Sequence, residues 1–97
     1  MAYDECNTYV FGYQAVQDKA PSESGVYTIY SARRWVYVGE SQDIRQSLFG
    51  HLNEPDTCIG RWGPLSFSFE TIPTADRGSR RHALVAELQP VCNLEKG

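Results

Sequence analysis

Cysteine is sparse and poorly spaced for crosslinking: Cys6, Cys58 and Cys92 are odd in number and form no Cys-x-x-Cys pair. Such a set indicates neither a disulfide framework nor a zinc site, so reduced thiols are expected. His51 beside Cys58 and Cys92 lacks the spacing of a ligand pair. Long apolar runs are missing too. Apolar residues make up 41% of the chain but fall in short runs, none near the ~20 needed to cross a bilayer. The start, Met1-Ala2-Tyr3-Asp4-Glu5, has no basic region leading into an apolar one. A soluble, cytoplasmic protein without membrane contact is expected. An excess of basic residues is the third absence: the net charge is −3, which on its face disfavours phosphate binding. The distribution weakens that exclusion. Asp4, Glu5, Asp18 and Glu23 against Lys19 account for the whole imbalance, whereas from Gly25 to Asn93 seven arginines balance seven carboxylates. Arg77, Arg80 and Arg81 crowd into one short stretch.

With 97 residues there is room for one modest core. Residues 1–9 show no period and read as a loose arm, leaving a single domain over 10–97. Phe11, Tyr13 and Val16 alternate roughly, as an edge strand or packing arm would. The loop chemistry of residues 20–25 leads into a strand over Val26 to Tyr30, and a second spans Trp35 to Val38, rich in aromatic and β-branched residues. Ser41 is placed to cap a helix running to Asn53, with Asp43 in its first turn and Ile44, Leu48 and Leu52 as a buried stripe. Cys58 to Trp62 suits a short helical turn. The strict alternation of Leu65 to Glu70 predicts a third strand, and Leu84, Val85 and Leu88 mark the inner face of a last helix from about Asp76 to Leu88, closed by Pro90. The order predicts an α/β sandwich around a small antiparallel sheet of about three strands.

Two tripeptides stand out, Gly25-Val26-Tyr27 opening the first strand and Tyr37-Val38-Gly39 closing the next. With the helix after them, they resemble the GIY-YIG nuclease superfamily over roughly residues 10 to 94. The resemblance implies its α/β fold and a Mg²⁺-dependent endonuclease site. Tyr27 and Tyr37 would position and deprotonate the attacking water, a helix arginine would bind the scissile phosphate, and a glutamate on the last helix would hold the metal. Each part has a physical warrant, because metal and guanidinium both offset charge building on phosphate oxygens.

Two of those positions carry the wrong chemistry. In the family register Ser41, Asp43, Ile44 and His51 match, but Ser47 stands where the arginine belongs. Arg45 is two residues away, ~200° around a helix, and reads as a solvated surface residue. Pro90-Val91-Cys92-Asn93 matches the family's ending, and counting back from Asn93 to the glutamate position lands on Arg81. Glu87 lies ~120° around and ~9 Å along from it. The resemblance therefore implies a degenerate member: catalytic positions Tyr27, Tyr37 and His51 retained, Ser47 and Arg81 altered, no metal ligand, and Mg²⁺ expected only if the site is active. Gly39, Arg77, Arg80, Arg81 and Asn93 are candidates for contact with substrate. An arginine at position 81 facing Tyr27, Tyr37 and His51 could bind phosphate where metal once bound.

Plainer readings stand beside these. Tyrosines in strands are commonly sheet aromatics, a lone helix histidine is usually ordinary, and surface arginines are usually solvated. Gly25 and Gly39 suit close backbone approach, Asn93 suits a tie between C-terminus and core, and Trp35 and Trp62 suit packing anchors. Three functions stay open: a nucleic-acid phosphate-binding protein, for DNA first, with weak or absent cleavage; an active Mg²⁺-dependent endonuclease completed by a partner or homodimer; and a protein-interaction module on a nuclease scaffold.

Overall fold

The computed structural model describes residues 9–32, 34–53, 57–62 and 64–96. Nine elements follow in order: β1 (Tyr9–Val10), α1 (Tyr13–Lys19), β2 (Gly25–Tyr30), β3 (Trp35–Ser41), α2 (Ile44–Asn53), α3 (Thr57–Gly60), β4 (Ser66–Thr71), α4 (Thr74–Leu88) and α5 (Val91–Lys96). The four strands form one antiparallel sheet in the order β1-β4-β2-β3.

Strand alternation divides the core between the two faces of this sheet. Tyr27, Ile29 and Phe67 face the larger half, with Val16 of α1, Ile44 and Leu48 of α2, Ile59 of α3 and Cys92 of α5. Val26 and Val38 point the other way, against Leu84, Val85 and Leu88 of α4. Thr28 and Ser68 are buried between strands and satisfy each other through hydroxyls 2.6 Å apart. The stripes expected on α2 and α4 are thus the ones that pack.

Several local expectations are corrected. The sheet has a fourth strand, β1, too short to show a period of its own and defined by its pairing with Phe67 and Ser66. The segment Phe11 to Val16 is not a strand. From Tyr13 it is helical, and the spacing of Val16 and Ala20, both fully buried, is the helical four-residue step. Helix α2 begins at Ile44, not Ser41. Asp43 is its cap, Oδ1 accepting the Gln46 N–H at 3.0 Å, while the Ser41 hydroxyl accepts the Asp43 N–H at 2.9 Å and so shapes the approach. Arg45 is half-buried, not solvated, its Nε donating to the Ala20 carbonyl at 2.8 Å.

The expectation of reduced thiols fails for two cysteines. Cys58 and Cys92 are joined in a disulfide, their Cα atoms 5.8 Å apart, which ties α3 to α5. Helix α4 stops at Gln89, whose left-handed backbone (φ 49°) and following Pro90 turn the chain back along β3.

Candidate functional site

The β2–β3 hairpin determines whether the two tripeptides meet. At its tip the Ser31 N–H donates to the Arg34 carbonyl at 2.8 Å, and Tyr30 pairs with Trp35. Continued unchanged, that register would put Tyr27 and Tyr37 on opposite faces. It does not continue. A bulge between Ile29 and Tyr30 leaves Val36 as the extra residue, and from there Ile29 pairs with Tyr37 and Tyr27 with Gly39. Both tyrosines then project from one face, their ring centroids 6.2 Å apart.

The same pairing explains the glycines. Tyr27 lies directly across Gly39, where a Cβ would sit 2.5 Å from both Cζ and Oη of the ring. At Gly25 a Cβ would meet the Glu70 carbonyl oxygen at 2.1 Å and Ile44 Cδ1 at 2.8 Å. One glycine makes room for the tyrosine of the other tripeptide, and the second lets β4 and α2 close on β2.

Helix α2 then brings its histidine over the sheet. Ile44 and Leu48 are fully buried, and His51, one turn beyond Leu48, shares their side. Its Nε2 lies 2.9 Å from the Tyr27 hydroxyl, and its ring centroid is 5.3 Å from that of Tyr37. Ser47, at the arginine position of the family register, bonds to Ser41, their hydroxyl oxygens 2.6 Å apart. Tyr27 is only 4% exposed. Burial first, and then neighbouring Tyr37, push its phenol well above the ordinary value, while the charge of Arg81 acts in the opposite direction. Tyr27 is therefore a neutral hydroxyl at physiological pH.

The three arginines of α4 separate sharply. Arg77 donates through Nε to Glu40 Oε1 at 3.1 Å and through Nη1 to Ser24 Oγ at 3.2 Å. Arg80 makes a fork with Glu70, Nε and Nη2 donating at 2.7 and 2.8 Å. Arg81 is half-buried, pairs with no carboxylate among the described residues, and is close enough for its charge to be felt at Tyr27. Asn93 is committed to the backbone: its Oδ1 accepts the Val38 N–H at 2.7 Å and its Nδ2 donates to the Val38 carbonyl at 2.9 Å. The side-chain amide thereby completes a ladder rung on the outer edge of β3, between Tyr37 and Gly39. Sequence reasoning missed the carboxylates that occupy Arg77 and Arg80, because the pairs are made across elements and leave no local spacing signal.

No protein-family model and no curated protein sequence matches the chain. Solved structures do. The GIY-YIG N-terminal endonuclease domain of UvrC from Thermotoga maritima, bound to magnesium as its catalytic divalent cation, is similar with a TM-score of 0.64 at 20% identity, over 79% of this chain and 93% of that one. A tyrosine-to-phenylalanine variant of that domain matches at 0.63 and 19% over 79% and 93%, and an asparagine-to-alanine variant at 0.62 and 20% over 79% and 92%. This chain has the GIY-YIG fold. The two tripeptides that suggested it lie on the neighbouring strands β2 and β3 and pack against each other there.

Proposed function

We propose that this GIY-YIG-fold chain holds a nucleic-acid phosphate, DNA first, against Tyr27, Tyr37, His51 and Arg81, with phosphodiester cleavage weak or absent. The observation that carries this reading is Arg81, a guanidinium without a carboxylate partner among the described residues whose charge reaches the buried tyrosine. A phosphate held between the Arg81 guanidinium and the cluster of Tyr27, Tyr37 and His51 would gain a cation together with hydroxyl and imidazole donors, a favourable set for an anion. Gly39 gives the Tyr27 ring its place in the site, and Asn93 braces the strand behind it. Arg77 and Arg80 contribute less, because a phosphate must first displace Glu40 or Glu70.

The same residues do not fit a hard divalent cation. Such ions want several oxygen ligands with carboxylates among them, and among the described residues no three His, Cys, Asp or Glu side chains converge. The phenol of Tyr27 stays protonated and Arg81 adds a positive charge, so no step is assigned to a metal. Without a guanidinium at position 47, one stabilising donor is missing, a loss that typically lowers rate by about 10²–10³.

The test is oligonucleotide binding against salt, with plasmid cleavage in Mg²⁺ or Mn²⁺. Binding should weaken as salt rises and fall in Arg81→Ala, and the double variant Ser47→Arg/Arg81→Glu should gain metal-dependent cleavage that neither single variant shows. Wild-type cleavage abolished by Tyr27→Phe would refute the impaired reading. Salt-insensitive or absent DNA binding would favour an interaction module.

A further inference from the structure

A second feature lies on the same side of the sheet, at the hairpin tip. Trp62 packs against the cluster that contains Tyr27 and Phe67, and the Arg34 guanidinium carbon lies 5.4 Å from its ring centroid. Arg34 is exposed and pairs with no carboxylate among the described residues. Together with Ser31, Ala32 and Pro64 these two residues line a groove of about 280 Å³, room enough for a nucleobase. The Trp62 indole N–H is buried without a hydrogen-bond partner among the described residues, and those that hold the ring do so by packing and through Arg34. Arg34 precedes Tyr37 by three residues, ~10 Å along extended chain.

We infer that this groove takes an unpaired nucleobase of the strand whose phosphate sits at Arg81, so that the chain selects single-stranded over duplex nucleic acid. The inference rests on the phosphate-binding reading above. The Arg34 guanidinium lies over the Trp62 ring, and a base entering the groove can stack on this planar guanidinium–indole pair, a sequence-tolerant platform whose cation also draws the backbone toward it. A base inside a duplex is stacked and paired and cannot enter.

Fluorescence anisotropy with three labelled probes tests it: a single-stranded oligonucleotide, a hairpin duplex of the same sequence, and a single strand carrying abasic sites. Wild-type protein should prefer the ordinary single strand over both others by roughly tenfold or more, the scale of one stacked base. Trp62→Ala and Arg34→Ala should each remove most of that preference, Trp62→Phe should keep it, and Arg81→Ala should weaken all three probes alike. Arg34→Ala, on an exposed side chain, keeps the test valid if Trp62→Ala does not fold. Equal binding of all three probes by wild type, or a preference that survives Arg34→Ala, would overturn the base site and leave phosphate binding standing. No salt-sensitive binding of any probe would overturn both.

Discussion

Gly39→Ala is the most direct test of how the site is built. The added methyl would sit 2.5 Å from Tyr27 Cζ and Oη, inside any tolerable contact, so the ring must move. Forcing an extra methyl into a packed site costs about 1–3 kcal/mol, and displacing the ring breaks the hydroxyl contact with His51, worth about 1 kcal/mol. Restricting the unfolded chain returns about 0.4–1 kcal/mol. The net loss is about 2 kcal/mol, or ~8–16 °C in melting temperature for a domain of this size. Gly50→Ala is the control, because that glycine lies inside α2 with nothing within 4 Å of the added methyl, and alanine there should stabilise by about 0.5–1 kcal/mol. Urea unfolding of both variants, and of Gly39→Ala in a Tyr27→Leu background, measures the coupling. In that background the alanine should be nearly neutral. A full penalty without the tyrosine ring, or none with it, would refute the account of why the tripeptides pair a glycine with a tyrosine.

Reducing the Cys58–Cys92 bridge, which closes a separation of 34 residues, should lower stability by about 3–4 kcal/mol on chain-entropy grounds, read as a shifted urea midpoint with and without dithiothreitol; peptide mapping of unreduced protein that finds Cys58 and Cys92 as free thiols would contradict it. Asn93→Ala leaves the Val38 N–H and carbonyl unpaired at the edge of β3 and should cost about 1–3 kcal/mol, with faster amide exchange at Val38 as the local readout. Because the Tyr27 phenol is raised in the folded state, its contribution is complete below the unfolded value near 10 and is lost above it, where the unfolded chain ionises first. Stability should therefore fall by up to ~1.4 kcal/mol per pH unit above pH 10 from this group, and urea titrations from pH 9 to 11 should show a shallower fall in Tyr27→Phe.

What was legible in the sequence was whatever a period or a tripeptide could carry. Ile44, Leu48 and Leu84 announced the buried sides of α2 and α4, the alternation before Glu70 announced β4, and the glycine–tyrosine runs announced the hairpin. Helix α1 was not legible because Phe11 and Tyr13 mimic a strand over too few residues for the helical step at Val16 and Ala20 to dominate. Strand β1 exists only through its partner. The disulfide was invisible because the approach of Cys58 to Cys92 is made by α3 and α5 meeting across the core, and no spacing rule encodes it. At the site, Tyr27, Tyr37 and His51 converge as the register implied, with Arg81 near enough to act on Tyr27 electrically. Arg77 and Arg80 do not join them, since Glu40 and Glu70, distant in sequence, lie within reach of their guanidinium groups.

The bulge at Val36 also governs how this hairpin can change length over time. Insertions or deletions of two residues at the tip preserve which side each ring occupies, whereas a single residue gained or lost sends Tyr37 to the face covered by α4. Because Val36 already absorbs one odd residue, losing it and gaining one at the tip would cancel. Loop length here is free to drift in even steps, and an odd step survives only with a matching change in the strand.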